Sequence, residues 1–273
     1  MAAYATIMGV LAGSGTDEAV LTACRHLAGE DGRIQALAIR SDPVRVVPMV
    51  GEAGAAAAAQ MMEVLEQQSK ERVVRARSAF DSWRGQGSAG RAEFMEVLGH
   101  PSESAAVCGR NADVVVLARP SQEDAPLAEN LAEACLFGSG RPVLLVPPSG
   151  SAAFGKSIAV FWNGSRTAAR ALGDAHALIA TAERVFIFTA GEINDELPNA
   201  DAVAARLQAQ GAKATARTLR DGDGAALATA AKEAGCDVVV MGGYGHSRVR
   251  EMILGGVTRH MLTSAAIPVL MAH

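Results

Sequence analysis

Asp113-Val114-Val115-Val116-Leu117 and Asp237-Val238-Val239-Val240-Met241 are nearly the same phrase written twice in one chain of 273 residues. Each is a short unbroken apolar run opened by an acid. Strands buried on both faces read this way, and both faces are covered when helical crossovers join parallel strands. Working outward, Arg141-Pro142-Val143-Leu144 matches Ile267-Pro268-Val269-Leu270 in the same order. Upstream, Val10-Leu11-Ala12-Gly13-Ser14-Gly15-Thr16 lies on Val160-Phe161-Trp162-Asn163-Gly164-Ser165-Arg166 without a gap, so that Gly13 falls on Asn163. Three matches in one order argue for a duplicated unit.

Each copy has the same rhythm. A β-rich run (Thr6 to Leu11; Ser157 to Trp162) passes through Gly and Ser into an Ala/Leu-rich helix, and a second apolar run follows (Ile34 to Ile39; Arg184 to Thr189). Strands alternating with helices imply parallel pairing through crossovers. The expected fold class is α/β: two Rossmann-like, doubly wound parallel-sheet domains in tandem, 1–149 and 155–273. The junction is the linker Pro147-Pro148-Ser149-Gly150-Ser151-Ala152-Ala153. At about 150 residues per domain the length fits. The first copy is longer through 51–87, where Ala55 to Ala59 leads into strong helix formers with Met62, Val64, Leu65, Val73, Val74 and Phe80 among charges, which predicts a long amphipathic helix.

Composition narrows the function. A net charge of −4 offers no broad basic surface for phosphate backbones, so nucleic acid is not an expected partner. Aromatic content of 4% predicts an aliphatic core. The four cysteines (Cys24, Cys108, Cys135, Cys236) form no C-x-x-C pair and have no histidine at metal-ligand spacing, so they read as buried and reduced, with no metal site. The first residues carry no basic leader, and no window approaches the roughly 18 apolar residues a membrane span needs. A cytoplasmic protein without a membrane partner is expected.

Gly150-Ser151-Ala152-Ala153-Phe154-Gly155-Lys156-Ser157 fits the phosphate-loop pattern letter for letter. That mechanism needs a helix after the loop to supply aligned amides. Here Ser157-Ile158-Ala159-Val160-Phe161-Trp162 follows, which the repeat makes the first strand of copy two, so a linker is the better reading.

Met241-Gly242-Gly243-Tyr244-Gly245 continues through His246 to Leu254 into Gly255-Gly256-Val257-Thr258. Its context is right: Gly242 directly follows a strand, where open α/β sheets place ligands. Glycine at 242 and 245 lets a main chain come close to a ligand, and a short helix from Val257 to Ser264, opened by Gly255 and Gly256, could present free amides to phosphate. The bland alternative is that these glycines only shape turns. Copy one argues against it, because Ala118 and Ser121 replace Gly242 and Gly245 there and Pro120 lacks an N–H.

With these motifs the chain resembles a tandem universal stress protein, a fold also described as adenine nucleotide alpha hydrolase-like. ATP-binding members carry G-2x-G-9x-G-[S/T] after the fourth strand; Gly242, Gly245 and Gly255 match, while Gly256 stands where Ser or Thr is expected. Asn163 occupies the place of the Asp that ends the family's first strand, and Thr189 that of an adenine-contacting position. The resemblance implies ATP, with Mg²⁺ on its phosphates, held by Asn163, Thr189, Gly242, Gly245, Gly255, Gly256 and Val257. It implies domain pairing within the chain and a possible homodimer, with copy one a degenerate partner domain in which Gly13 replaces the Asp. Gly138-Ser139-Gly140 lies too close to the last strand of that copy to supply the missing glycine pair.

His246 and His260 read as loop and helix surface, Arg248 and Arg250 beside Glu251 as a solvated turn, Asp221 and Asp223 as helix caps, and Ser165 as a helix start. No nucleophile and base can be assembled from spacing, so no catalytic residue is named. The expected role is stress-associated sensing or regulation. A nucleotide-free scaffold or small-ligand binder and a weak ATPase are the alternatives.

Overall fold

A computed structural model of the chain describes residues 4–46, 55–86, 91–120, 125–151, 153–190, 199–219, 224–243 and 256–273. They form two compact units: Met1–Arg141 with Pro148–Gly150, and Pro142–Pro147 with Ser151–His273.

The first unit runs β1 (Thr6–Leu11), α1 (Asp17–Ala28), β2 (Arg33–Ser41), α2 (Pro43–Val46), α3 (Ala55–Gly85), β3 (Arg91–Gly99), α4 (Pro101–Gly109), β4 (Val114–Ala118) and α5 (Ala125–Gly138). Its strands are parallel in the order β3-β2-β1-β4. The second unit contains β5 (Val143–Val146), β6 (Ser157–Phe161), α6 (Arg166–Asp174), α7 (His176–Thr181), β7 (Arg184–Ala190), α8 (Ala200–Ala209), β8 (Ala214–Leu219), α9 (Gly224–Glu233), β9 (Val238–Gly242), α10 (Gly256–Ser264) and β10 (Val269–Ala272). Its parallel order β8-β7-β6-β9-β10 repeats that of the first unit, and β5 adds to β10 antiparallel. The α/β class expected from the repeat is the class observed.

The central strands carry the core. Val114 to Val116 and Val238 to Val240 are all at most 1% exposed, because helices cover both faces and leave no side for a polar residue. An acid pins each copy of the phrase. Asp237 accepts from the amides of Gly155 (2.7 Å), Lys156 (3.0 Å) and Ser157 (3.2 Å), while Asp113 accepts from Ala5 (3.0 Å) and Thr6 (2.8 Å). The start of the fourth strand of each copy is thereby tied to the start of its first.

Register corrects the repeat alignment by one residue. Asp113 donates its amide to the Thr6 carbonyl and Asp237 donates to that of Ser157, and Ile7 and Ile158 pair with the equivalent Val114 and Val238. Gly13 therefore corresponds to Gly164, with φ of 69° and 71°, and Ala12 to Asn163. The gapless alignment followed letters; hydrogen bonding follows the sheet, and both copies leave the strand through a glycine in the left-handed region.

The long helix is present as α3. Ser69, Val73, Ala76, Phe80 and Trp83 form one buried face at spacings of three and four, whereas Val64 (54%) and Val74 (67%), expected among its apolar positions, are exposed. Only the second half of α3 is seated by such a face. Asp221 and Asp223 lie outside the described residues. No helix among the described residues is long and apolar enough to cross a membrane.

Candidate functional site

The carboxyl ends of β9, β6 and β7 lie side by side. Phe161 pairs with both Phe188 and Met241, so the next residues, Trp162, Thr189 and Gly242, reach one level. Trp162 extends the ladder by donating its amide to Phe188 O at 2.8 Å. Beyond it the chain turns through Asn163 and Gly164 into α6. Ser165 caps that helix, its hydroxyl accepting from Ala168 N at 3.2 Å, as its place after the strand suggested.

Asn163 is exposed, and its Oδ1 accepts from Ser165 N at 3.1 Å. The turn takes one of the two lone pairs of that oxygen, and the NH₂ is a further group that Asn163 can present. Thr189, the last but one residue of β7, has a buried Oγ1 with no hydrogen-bond partner among the described residues. An unmet buried hydroxyl costs about 1–3 kcal/mol, and a group that persists at such a cost needs an account.

Gly242 closes the floor. A Cβ there would stand 2.5 Å from Ala168 N and 2.5 Å from Thr167 Oγ1. The absence of a side chain is therefore required by the approach of α6, and the contrast with Ala118 does not by itself mark Gly242 as a ligand contact. In copy one the helix begins later relative to the matched glycine, at Asp17 after Gly13, against Arg166 after Gly164. Gly243 donates to Ala272 O at 2.8 Å, so its amide is committed to the sheet. Gly245 and Gly255 lie outside the described residues, as do Ser121, His246, Arg248 and Arg250. Gly256 is the first residue of α10, with the partly buried Val257 next; His260 is partly buried on the same helix. The phosphate-loop match is followed by β6 and not a helix, and Lys156 forms an exposed pair with Glu183 at 3.6 Å.

At the matching end of copy one the loop amides are already taken. The Asp17 carboxylate accepts from Ala12 N (2.9 Å) and Gly13 N (3.0 Å), and Arg75 Nε donates to Gly13 O at 2.7 Å. A Cβ at Gly13 would collide with the Arg72 carbonyl of α3. Sequence reasoning missed Asp17, although an acid in the first turn of a helix after Gly-Ser was readable as a partner for loop amides. Gly138 and Gly140 flank Ser139, whose hydroxyl donates to Cys135 O and ends α5. Among the described residues no group of His, Cys, Asp and Glu could hold a metal ion.

Two doubly wound α/β units define a class of fold that places ligands beyond the carboxyl ends of its strands. Residues 168–273 match the Universal stress protein family. That segment includes Thr189 and every glycine of the motif but begins after Asn163. Among solved structures the chain is similar to a universal stress protein from Archaeoglobus fulgidus DSM 4304, with 16% identity and a TM-score of 0.68 over 99% of this chain and 96% of that one. It is also similar to a functionally unknown protein from Pseudomonas aeruginosa PAO1, with 13% identity and a TM-score of 0.58 over 98% and 92%. These likenesses concern the fold. No curated protein matches the chain.

Proposed function

We propose that the chain is a tandem universal stress protein whose second copy, 155–273, binds ATP and whose role is sensing or regulation, with the first copy, 1–149, as a degenerate partner domain. The observation that carries this reading is the spacing Gly242, Gly245, Gly255 at the carboxyl end of β9, inside the segment matched by the family. Thr189 supports it independently, since a nucleoside would supply the hydrogen bond its buried hydroxyl lacks. Thr189 and the NH₂ of Asn163 would hold the nucleoside. Gly245, Gly255, Gly256 and Val257 would bring main-chain amides to the phosphates, whose charge Mg²⁺ would share. Gly242 keeps the floor flat beneath them. The reading places no general base near the phosphates, so turnover is not part of it, and the protein works where ATP is present, in the cytoplasm.

Asn163 favours a second reading. Its carbonyl already accepts from Ser165 N, and Gly256 lacks the hydroxyl expected there, which suits a nucleotide-free scaffold of the same fold. Thermal unfolding with and without Mg²⁺ and ATP decides between them. A nucleotide-dependent rise in Tm, reduced by Thr189→Val and by Gly245→Val, supports ATP binding; an unchanged Tm at millimolar ATP overturns it.

A further inference from the structure

Arg119 follows β4 directly and is 8% exposed. Its Nε and Nη1 are buried, and neither has a hydrogen-bond partner among the described residues. Burial draws the guanidinium below its usual range, and no carboxylate among the described residues opposes the effect. A buried cation without a counter-ion is costly, several kcal/mol for an uncompensated charge, so proteins rarely keep one unless it meets an anion. A guanidinium also presents a planar fork matched to two oxygens of one oxyanion.

Its position in the fold is where ligands are held. Arg119 sits at the carboxyl end of β4, and β4 pairs with β1 through Gly9 and Val116, so Arg119 and Ala12 leave neighbouring strands at about one level. This is the point where strand order reverses, because the chain runs outward from β1 through β2 to β3 on one side and then crosses back to β4 on the other. One strand away, over the ends of β1 and β2, a cleft is lined by Leu11, Ala12, Arg72, Pro101, Leu127 and Leu131. Beside β1, α3 lies against Gly13 and the Asp17 carboxylate already takes the amides of Ala12 and Gly13, so those amides are not open to a ligand.

We propose that the first unit, having lost the nucleotide cradle, holds one small oxyanion of the phosphate or sulfate class on Arg119. The site is separate from the ATP site of the second unit and does not rest on it. Replacement of Gly243 by Arg at the equivalent position changes a backbone cradle into a side-chain clamp.

The test uses the full chain and inorganic phosphate as probe, with chloride at matched ionic strength as the control. Isothermal titration and Tm are measured for the wild type, Arg119→Met and Arg119→Lys. Wild type should gain several degrees in phosphate over chloride. Arg119→Met should lose that gain while melting at or above the wild-type temperature in chloride, since methionine removes an unpaired charge and keeps apolar bulk. Arg119→Lys should retain part of the response. An Arg119→Met protein that keeps the full phosphate response, or that melts well below wild type in chloride, overturns the proposal: the first places the anion elsewhere, and the second shows the guanidinium already satisfied within the fold. A wild type indifferent to phosphate also overturns it.

Discussion

Gly242 and Thr167 meet so closely that a Cβ on residue 242 would lie 2.5 Å from the Thr167 hydroxyl. The neighbouring contacts are backbone atoms of Thr167 and Ala168, which cannot swing aside as the end of a flexible side chain could. Gly242→Ala should therefore destabilise the protein by about 1–3 kcal/mol, the usual range for overpacking. Urea unfolding in nucleotide-free buffer reads it. A midpoint within error of wild type would show that α6 yields at no cost.

Thr189→Val separates stability from binding. Its hydroxyl is buried and has no partner among the described residues, so the methyl that replaces it should leave the ligand-free protein as stable as wild type or up to about 1 kcal/mol more stable. Affinity for ATP should fall by roughly tenfold, the equivalent of one hydrogen bond at about 1.4 kcal/mol. A loss of stability in the absence of ligand would mean that the hydroxyl is already satisfied.

Much of this was legible in the sequence because it depends on periodicity and local chemistry. The runs of valine at 114–116 and 238–240 announced parallel strands, and the strand bounds Thr6–Leu11 came out as read. Ser165 was readable as a cap because capping is a matter of three residues. What was not legible depends on neighbours distant in the chain. Gly13 could be matched to Gly164 only through hydrogen bonds that reach from Thr6 to Asp113, and the packing demand on Gly242 comes from Thr167. Arg119 carried no reading from the sequence; its isolation among the described residues is a fact of three dimensions.

The cysteines give a pH dependence. Burial raises the Cys24 thiol far above its usual range and pushes Cys135 up to about 12, the nearby Cys108 adding to the latter. Below the unfolded value of about 8.5 both states hold the thiol proton and stability is unaffected. Above it the unfolded chain ionises while the folded chain does not, so stability should fall with rising pH towards 12, by up to about 1.4 kcal/mol per unit per thiol. Urea midpoints at pH 7.5 and 9.5 measure the slope. Iodoacetamide at pH 8 should label Cys108, the partly exposed thiol, well before Cys24 and Cys135; equal labelling in the native protein would refute their burial.

Asp237 receives three amides, those of Gly155, Lys156 and Ser157, and is partly buried; Asp113 receives two, from Ala5 and Thr6, and is exposed. Hydrogen bonds to a charged acceptor are worth more than neutral ones, and solvent weakens those at the surface. Asp237→Ala should therefore cost about 2–4 kcal/mol, with three donors left open and Gly155 (φ 92°) released from its turn. Asp113→Ala should cost clearly less. Asp237→Asn, which keeps one acceptor oxygen, should fall between wild type and Asp237→Ala. Urea midpoints of the three variants test the ordering, and an Asp113→Ala protein as unstable as Asp237→Ala would show that the equivalent acids, despite unequal burial, carry equal loads.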